Sequence, residues 1–233
     1  MLYHNVSADG RRDDLTVSSS QLEEQFQYLQ QAGYTSIGFS DLIAYCDQSK
    51  PLPPKPVLVT FDDGFRNNAT IAYPLAKKYG IKINLFVVPL FIRAGGYRSN
   101  PCLQPDDLEE LDPSLVEVGL HSYAHANYAK LHPAEIANDI ERCLYTMDEM
   151  GISYQPCLAY PFGAFPKRQR EAQDKLFEIL QEKGIRLAFR IGNRINRLPL
   201  RQRFLLQRMD IRGDQSFLLF RLSLAWGKKR FRW

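Results

Sequence analysis

The 233-residue chain has little of what would place it in several common classes. Its four cysteines, Cys46, Cys102, Cys143 and Cys157, form no CxxC pair. That argues against a zinc ribbon and against a disulfide framework, and it fits reduced thiols. No apolar run approaches the roughly 20 residues of a membrane-spanning helix. Domain-like sequence begins almost at once, so the expected location is cytoplasmic, with no secretory signal. There are no internal repeats. Histidine is scarce: His4, His121, His125 and His132 are the full set, so two that fall close together stand out. The chain carries a formal net charge of +4, but no nucleic-acid recognition motif accompanies it.

Against that background, residues 57–64 carry the most information. Val57-Leu-Val-Thr-Phe61 reads as a buried parallel strand. It stops abruptly in Asp62-Asp63-Gly64, and Gly64 permits a sharp turn. Neighbouring strand residues point to opposite sides, so one carboxylate could hold a metal while the other stays free as a base. A helix N-cap is the plainer role for such aspartates. A second strand-like run, Val116-Glu-Val-Gly-Leu120, ends in His121-Ser-Tyr-Ala-His125. Two histidines four apart share a side if the segment turns helically, and imidazoles at that spacing can grip one ion. One carboxylate with two imidazoles leaves metal positions open for water and substrate.

Thr60-Phe-Asp-Asp-Gly64 and His121-Ser-Tyr-Ala-His125 resemble the first two motifs of the polysaccharide deacetylases, carbohydrate esterase family four, which share the nodulation-deacetylase homology domain. Ala159-Tyr-Pro-Phe-Gly163 resembles the third. Leu2-Tyr-His-Asn5 is similar to the opening of the branch that deacetylates poly-N-acetylglucosamine, and Gly80–Val87 fits the strand that comes after the first motif. The resemblance runs from residue 2 to about residue 212.

Alternating strand and helix patterns imply a parallel sheet. Ser18–Ala32, Asn67–Tyr79, Pro133–Met150 and Arg168–Lys183 read as helices, with Pro74 expected to end or kink the second. Lys82–Val88, Arg186–Ile191 and Leu205–Ile211 read as strands. Length suits one catalytic domain over residues 1–233, with a basic C-terminal helix and tail at about 214–233. The resemblance implies a distorted (β/α)7 barrel related to the eight-stranded TIM barrel, with chemistry at the strand ends.

The resemblance also implies roles. Asp63, His121 and His125 would bind a divalent ion, zinc by ligand type, with cobalt or nickel as alternatives. Asp62 would act as base, and the backbone N–H of Phe162 would donate to an oxyanion. Two departures stand out. Ala159 occupies the position where many members carry an arginine that orients the base. Leu206–Ile211 holds no histidine where many carry a general acid. His4 ends the first strand and could face the site. Arg208 is read either as a contact for an acidic sugar or as a partner of Asp62. Tyr160 and Pro161, with Phe165, are candidate sugar contacts.

Charge is unevenly spread. Residues 183–233 hold 14 Lys/Arg and 2 Asp/Glu, a net of +12, against about −8 for the first 182. The basic-aromatic tail could rest on an anionic membrane or contact an acidic glycan, or simply form a final helix packed through Phe217, Leu218, Phe220 and Leu224. The expected function is metal-dependent removal of acetyl groups from N- or O-acetylated sugars of an envelope glycan or exopolysaccharide. The alternatives are a deacylase of a lipid-linked sugar and a non-catalytic glycan binder that keeps the metal triad. Nothing in the sequence bears on oligomeric state.

Overall fold

The computed structural model of the chain describes residues 1–227. Seven parallel strands succeed one another around a barrel: β1 (Leu2–Tyr3), β2 (Thr60–Phe61), β3 (Ile83–Val87), β4 (Val116–Leu120), β5 (Cys157–Ala159), β6 (Leu187–Ile191) and β7 (Leu206–Arg208). The ring closes where Leu2 bridges Asp210 just beyond β7. There the Leu2 N–H donates to the Met209 carbonyl, and the Ile211 N–H donates to that of Leu2. Eight α-helices surround the strands among the described residues: α1 (Ser19–Gln31), α2 (Phe39–Gln48), α3 (Tyr73–Tyr79), α4 (Pro89–Ala94), α5 (Pro105–Glu109), α6 (Pro133–Glu149), α7 (Arg170–Glu182) and α8 (Phe217–Trp226). This is the expected distorted (β/α)7 barrel.

The strands form because their residues are needed on both faces. β3 and β5 are buried at every position, as parallel strands between a packed interior and covering helices must be. Phe86, Cys157, Ala159, Leu187, Phe189 and Leu206 fill the interior with Phe39 of α2. Leu22, Phe26 and Leu29 of α1 and Ile136, Ile140 and Met147 of α6 belong to the larger outer cluster. Gly119 is required here, because a Cβ would sit 2.9 Å from the Phe86 ring and 3.0 Å from the Cys157 carbonyl.

One end of the barrel is plugged by the start of α2. The Asn84 side chain accepts from the Phe39 N–H (3.0 Å) and donates to the Ile37 and Val59 carbonyls. The Glu117 carboxylate accepts from the Ser40 N–H at 2.8 Å and from its hydroxyl. Orphan donors of the first helical turn are thus satisfied. The opposite end, where the strands finish, stays available for chemistry.

Local differences from the sequence reading have simple causes. The run 57–61 divides: Pro56–Leu58 pairs with Thr35–Ile37 in a two-stranded ladder, and only Thr60–Phe61 joins the barrel. Asn67–Tyr79 opens as a wide-turned π-helix over Asn68–Ala72, so Pro74 falls in the first turn of α3, where its missing N–H costs nothing. Gly96–Tyr97 and Asn100–Pro101, outside every element read from the sequence, form a short antiparallel hairpin. In α8, Phe217, Phe220 and Leu224 pack inward as expected, but Leu218 is exposed. The tail beyond Gly227 lies outside the described residues.

Candidate metal centre

Asp62 and Asp63 leave the end of β2 in different directions. Asp62 continues the strand, its N–H donating to the Tyr3 carbonyl (2.9 Å). Asp63 enters the left-handed region at φ 70° and Gly64 adopts 71°. This break turns the second carboxylate toward the end of β4. Gly64 cannot be enlarged freely, since a Cβ would meet Val87 at 3.2 Å.

His121 and His125 arrive from β4, but not on a helix. The 121–125 segment is a loop in which Ser122 (φ 67°) and His125 (φ 57°) take left-handed conformations. Asp139 of α6 secures it. Its buried carboxylate accepts from the Ser122 hydroxyl (3.2 Å), the Tyr123 N–H (3.1 Å) and the Tyr128 hydroxyl (2.7 Å). Ser122 Oγ in turn accepts from the Ala126 N–H at 2.8 Å. Sequence reasoning missed Asp139. Its signal was a carboxylate on the apolar face of α6, between Ile136 and Ile140.

The three side chains converge. Asp63 Oδ1 lies 3.5 Å from His121 Nε2 and 3.3 Å from His125 Nε2, and the three donor atoms fall within 4.8 Å of one another. His121 Nδ1 donates to the Ala159 carbonyl at 2.8 Å, which leaves the Nε2 lone pair facing the centre. Asp63 Oδ1 is buried and has no hydrogen-bond partner. A buried carboxylate oxygen without a donor is costly, and here it faces two imidazole nitrogens. Residues and geometry therefore fit a divalent cation. Burial raises the Asp63 carboxyl above its ordinary range. Burial, then the neighbouring His121, pushes His125 down to about 3.

Asp62 stands beside this triad with a different partner. Burial opposes its ionisation, yet the Arg208 guanidinium and then His121 outweigh that and hold it at about 2. Arg208 Nη1 and Nη2 donate to the two carboxylate oxygens at 2.5 and 2.7 Å, and Nη1 also reaches Thr60 Oγ1 at 3.0 Å. The guanidinium lies 5.1 Å from the Phe86 ring centre. Arg208 is only 2 % exposed, so the sugar-contact alternative gives way to the carboxylate-partner one. The last barrel strand supplies the arginine that Ala159 does not.

The third motif places Phe162 over the centre. Its ring is 60 % exposed and its centroid is 4.5 Å from that of His125. Its φ of 59° is a strained value for a bulky residue. Asp63, Ser122, His125 and Phe162 thus gather left-handed backbone around one spot, a pattern that functional sites tolerate at about 1–3 kcal/mol per residue. The neighbours of Phe162 do not face the site as expected. Tyr160 is fully buried, donates its hydroxyl to the Phe204 carbonyl (3.0 Å) and packs on Tyr128 and Phe165. Pro161 and Phe165 are buried too, so all three are packing residues rather than sugar contacts. His4 lies just past β1, near Asp62, Asp63 and His125.

The chain is similar to known proteins in sequence and in shape. The chain is 25% identical over 175 residues to YxkH of Bacillus subtilis, itself named for polysaccharide deacetylation. It is 23% identical over 183 residues to a poly-β-1,6-N-acetyl-D-glucosamine N-deacetylase of Staphylococcus aureus. Each match takes in 75% of this chain and 60% of the relative, so the chain spans less than two thirds of their length. In shape it is similar to the Streptococcus pyogenes deacetylase PplD in complex with acetate (TM-score 0.79, 18% identity, 96% of both chains). It is also similar to IcaB from Ammonifex degensii (TM-score 0.77, 23% identity, 97% of this chain and 94% of that one). The polysaccharide deacetylase family description matches residues 49–177, a stretch that takes in Asp62, Asp63, His121, His125 and Phe162 but neither His4 nor Arg208. With more than half of its length matched, the chain belongs to the polysaccharide deacetylase family.

Proposed function

We propose that this protein is a metal-dependent hydrolase that removes acetyl groups from N-acetylated sugars of a poly-N-acetylglucosamine-type envelope glycan or exopolysaccharide, with the chain serving as one catalytic domain. The observation that carries the reading is the orphaned, buried Asp63 Oδ1 between His121 Nε2 and His125 Nε2. The names of the Staphylococcus aureus and Escherichia coli relatives support the substrate class.

In this reading Asp63, His121 and His125 hold a divalent cation, zinc by donor type with cobalt or nickel as alternatives. When bound, it supplies Lewis-acid polarisation of the acetyl carbonyl and acidifies water. Asp62 accepts the proton of the attacking water, and Arg208 keeps that carboxylate ionised and fixes its plane. The Phe162 N–H donates to the oxygen on which negative charge develops. His4, at the rim, is the group we assign to protonate the leaving amine. Ala159 fixes the His121 tautomer through its carbonyl, and Asp139 holds the loop that carries both imidazoles.

The test pairs two adjacent carboxylates. Asp63→Ala should lose bound metal by elemental analysis. Asp62→Asn should retain it and release no acetate from N-acetylglucosamine oligomers. Equal metal loss in both variants would refute the division of labour. Metal retention with oligomer binding but no turnover by the unaltered chain would favour a non-catalytic glycan binder.

A further inference from the structure

The outward face of α8 is apolar along its length. Leu218 (62 % exposed) and Trp226 (69 %) mark its ends, with Leu219 and Leu222 exposed between them. At 100° per residue these four positions fall within one sector of about 100°. Among the described residues of α8, no charged one falls in that sector. The opposite face is already in use, since Phe217 and Phe220 pack edge-on against Tyr28 of α1. At the end of the helix, Gly227 abuts the backbone of Asn193, Arg194 and Ile195. The loop after β6 thereby joins the same surface. Ile195 and Leu198 are both exposed, and with Leu200 and Leu224 they line one cavity of about 360 Å³.

Charge identifies what would cover this surface. Arg194, Arg197, Arg201 and Arg221 are exposed around it. In sequence α8 runs directly into Lys228-Lys-Arg-Phe-Arg-Trp233, and residues 183–233 carry the net +12 against about −8 elsewhere. A second copy of the chain would bring two such cationic surfaces together. An acidic glycan would leave the leucines and Trp226 in water. No described helix is long and apolar enough to cross a membrane. We infer that α8 and the 194–201 loop form an interfacial docking surface for an anionic lipid bilayer, with leucine and tryptophan side chains entering the headgroup boundary and arginines pairing with lipid phosphates. This inference is independent of the catalytic reading.

The experiment uses the whole chain with phosphatidylcholine vesicles, with and without about one third phosphatidylglycerol. Flotation should recover the protein only with the anionic vesicles, and raising salt from about 0.05 to 0.5 M should lower the bound fraction roughly tenfold. In a Trp233→Phe background, Trp226 emission should shift to shorter wavelength on binding. Leu218→Glu with Leu222→Glu, and separately Arg194→Glu with Arg197→Glu, should each abolish flotation while leaving circular dichroism unchanged. Absence of flotation with anionic vesicles would overturn the inference, as would flotation unaffected by both variant pairs. Dimerisation that Leu218→Glu/Leu222→Glu abolishes would assign the surface to a second copy. Binding of an acidic polysaccharide in place of vesicles would assign it to glycan.

Discussion

Replacing Arg208 with methionine keeps side-chain bulk near Phe86 and removes the charge. The Asp62 carboxylate would then be buried without the two short bonds at 2.5 and 2.7 Å that now neutralise it. Breaking a buried ion pair from one side costs about 3–5 kcal/mol. For a domain of this size each kcal/mol moves Tm by roughly 2–4 °C, so thermal unfolding of the metal-free variant at pH 7.5 should fall by roughly 6–20 °C. Two further measurements separate an ionic cause from lost packing. Adding Asp62→Asn to Arg208→Met removes the stranded charge, so the double variant should melt above the single one. Without Arg208, the largest opposition to burial is gone and Asp62's pKa rises, so the single variant's deficit should shrink on going from pH 7.5 to pH 5. The acid limb of its pH–activity profile should also move upward. A Tm within about 2 °C of the unaltered protein, or a double variant no more stable than the single, would refute the claim that Arg208 holds Asp62 ionised.

Other consequences are as direct. Asp139→Asn weakens the carboxylate that gathers Ser122, Tyr123 and Tyr128; zinc affinity by competitive chelation should drop roughly 10–100-fold, although Asp139 is not itself a proposed ligand. Gly119→Ala forces its new methyl into Phe86 and the Cys157 carbonyl; denaturant unfolding should show a loss of about 1–3 kcal/mol. Metal-free stability should fall as pH drops from 6.5 toward 3, because His125, held near 3 in the fold, stays neutral while its unfolded counterpart takes up a proton. Asp62 acts in the same sense only between 3.8 and about 2, and the raised Asp63 acts in the opposite sense near its own range. His125→Gln should flatten the upper part of that slope in calorimetric scans.

Much of the centre was legible because its ligands sit where apolar runs stop. Val57–Phe61 and Val116–Leu120 are patterned enough to be read as strands, and each gives way to a chemically unusual pair, two aspartates in one case and two histidines in the other. The convergence of His121 and His125 was foreseeable, but its route was not, because left-handed backbone at Ser122 and His125 leaves no periodic trace. Asp139 was hidden inside a helix whose apolar register otherwise looked complete. Arg208 was read in two ways, as a sugar contact or as the partner of Asp62, and across 146 residues no local pattern chooses between them. The small ladders escaped for a different reason. Asn5–Ser7 with Thr16–Ser18 offers three residues per strand, and the 96–101 hairpin turns through Arg98 and Ser99 rather than the Asn-Gly pair that marks such turns.

The arginine that orients Asp62 comes from the final barrel strand, some 30 residues past the end of the stretch that matches the family. All three proposed metal ligands are synthesised well before it. A nascent chain halted near residue 200 would own a complete set of cation donors yet present a carboxylate with no guanidinium to restrain it. In the proposed reaction, hydrolytic competence would therefore wait on the arrival of the seventh strand rather than on ion capture.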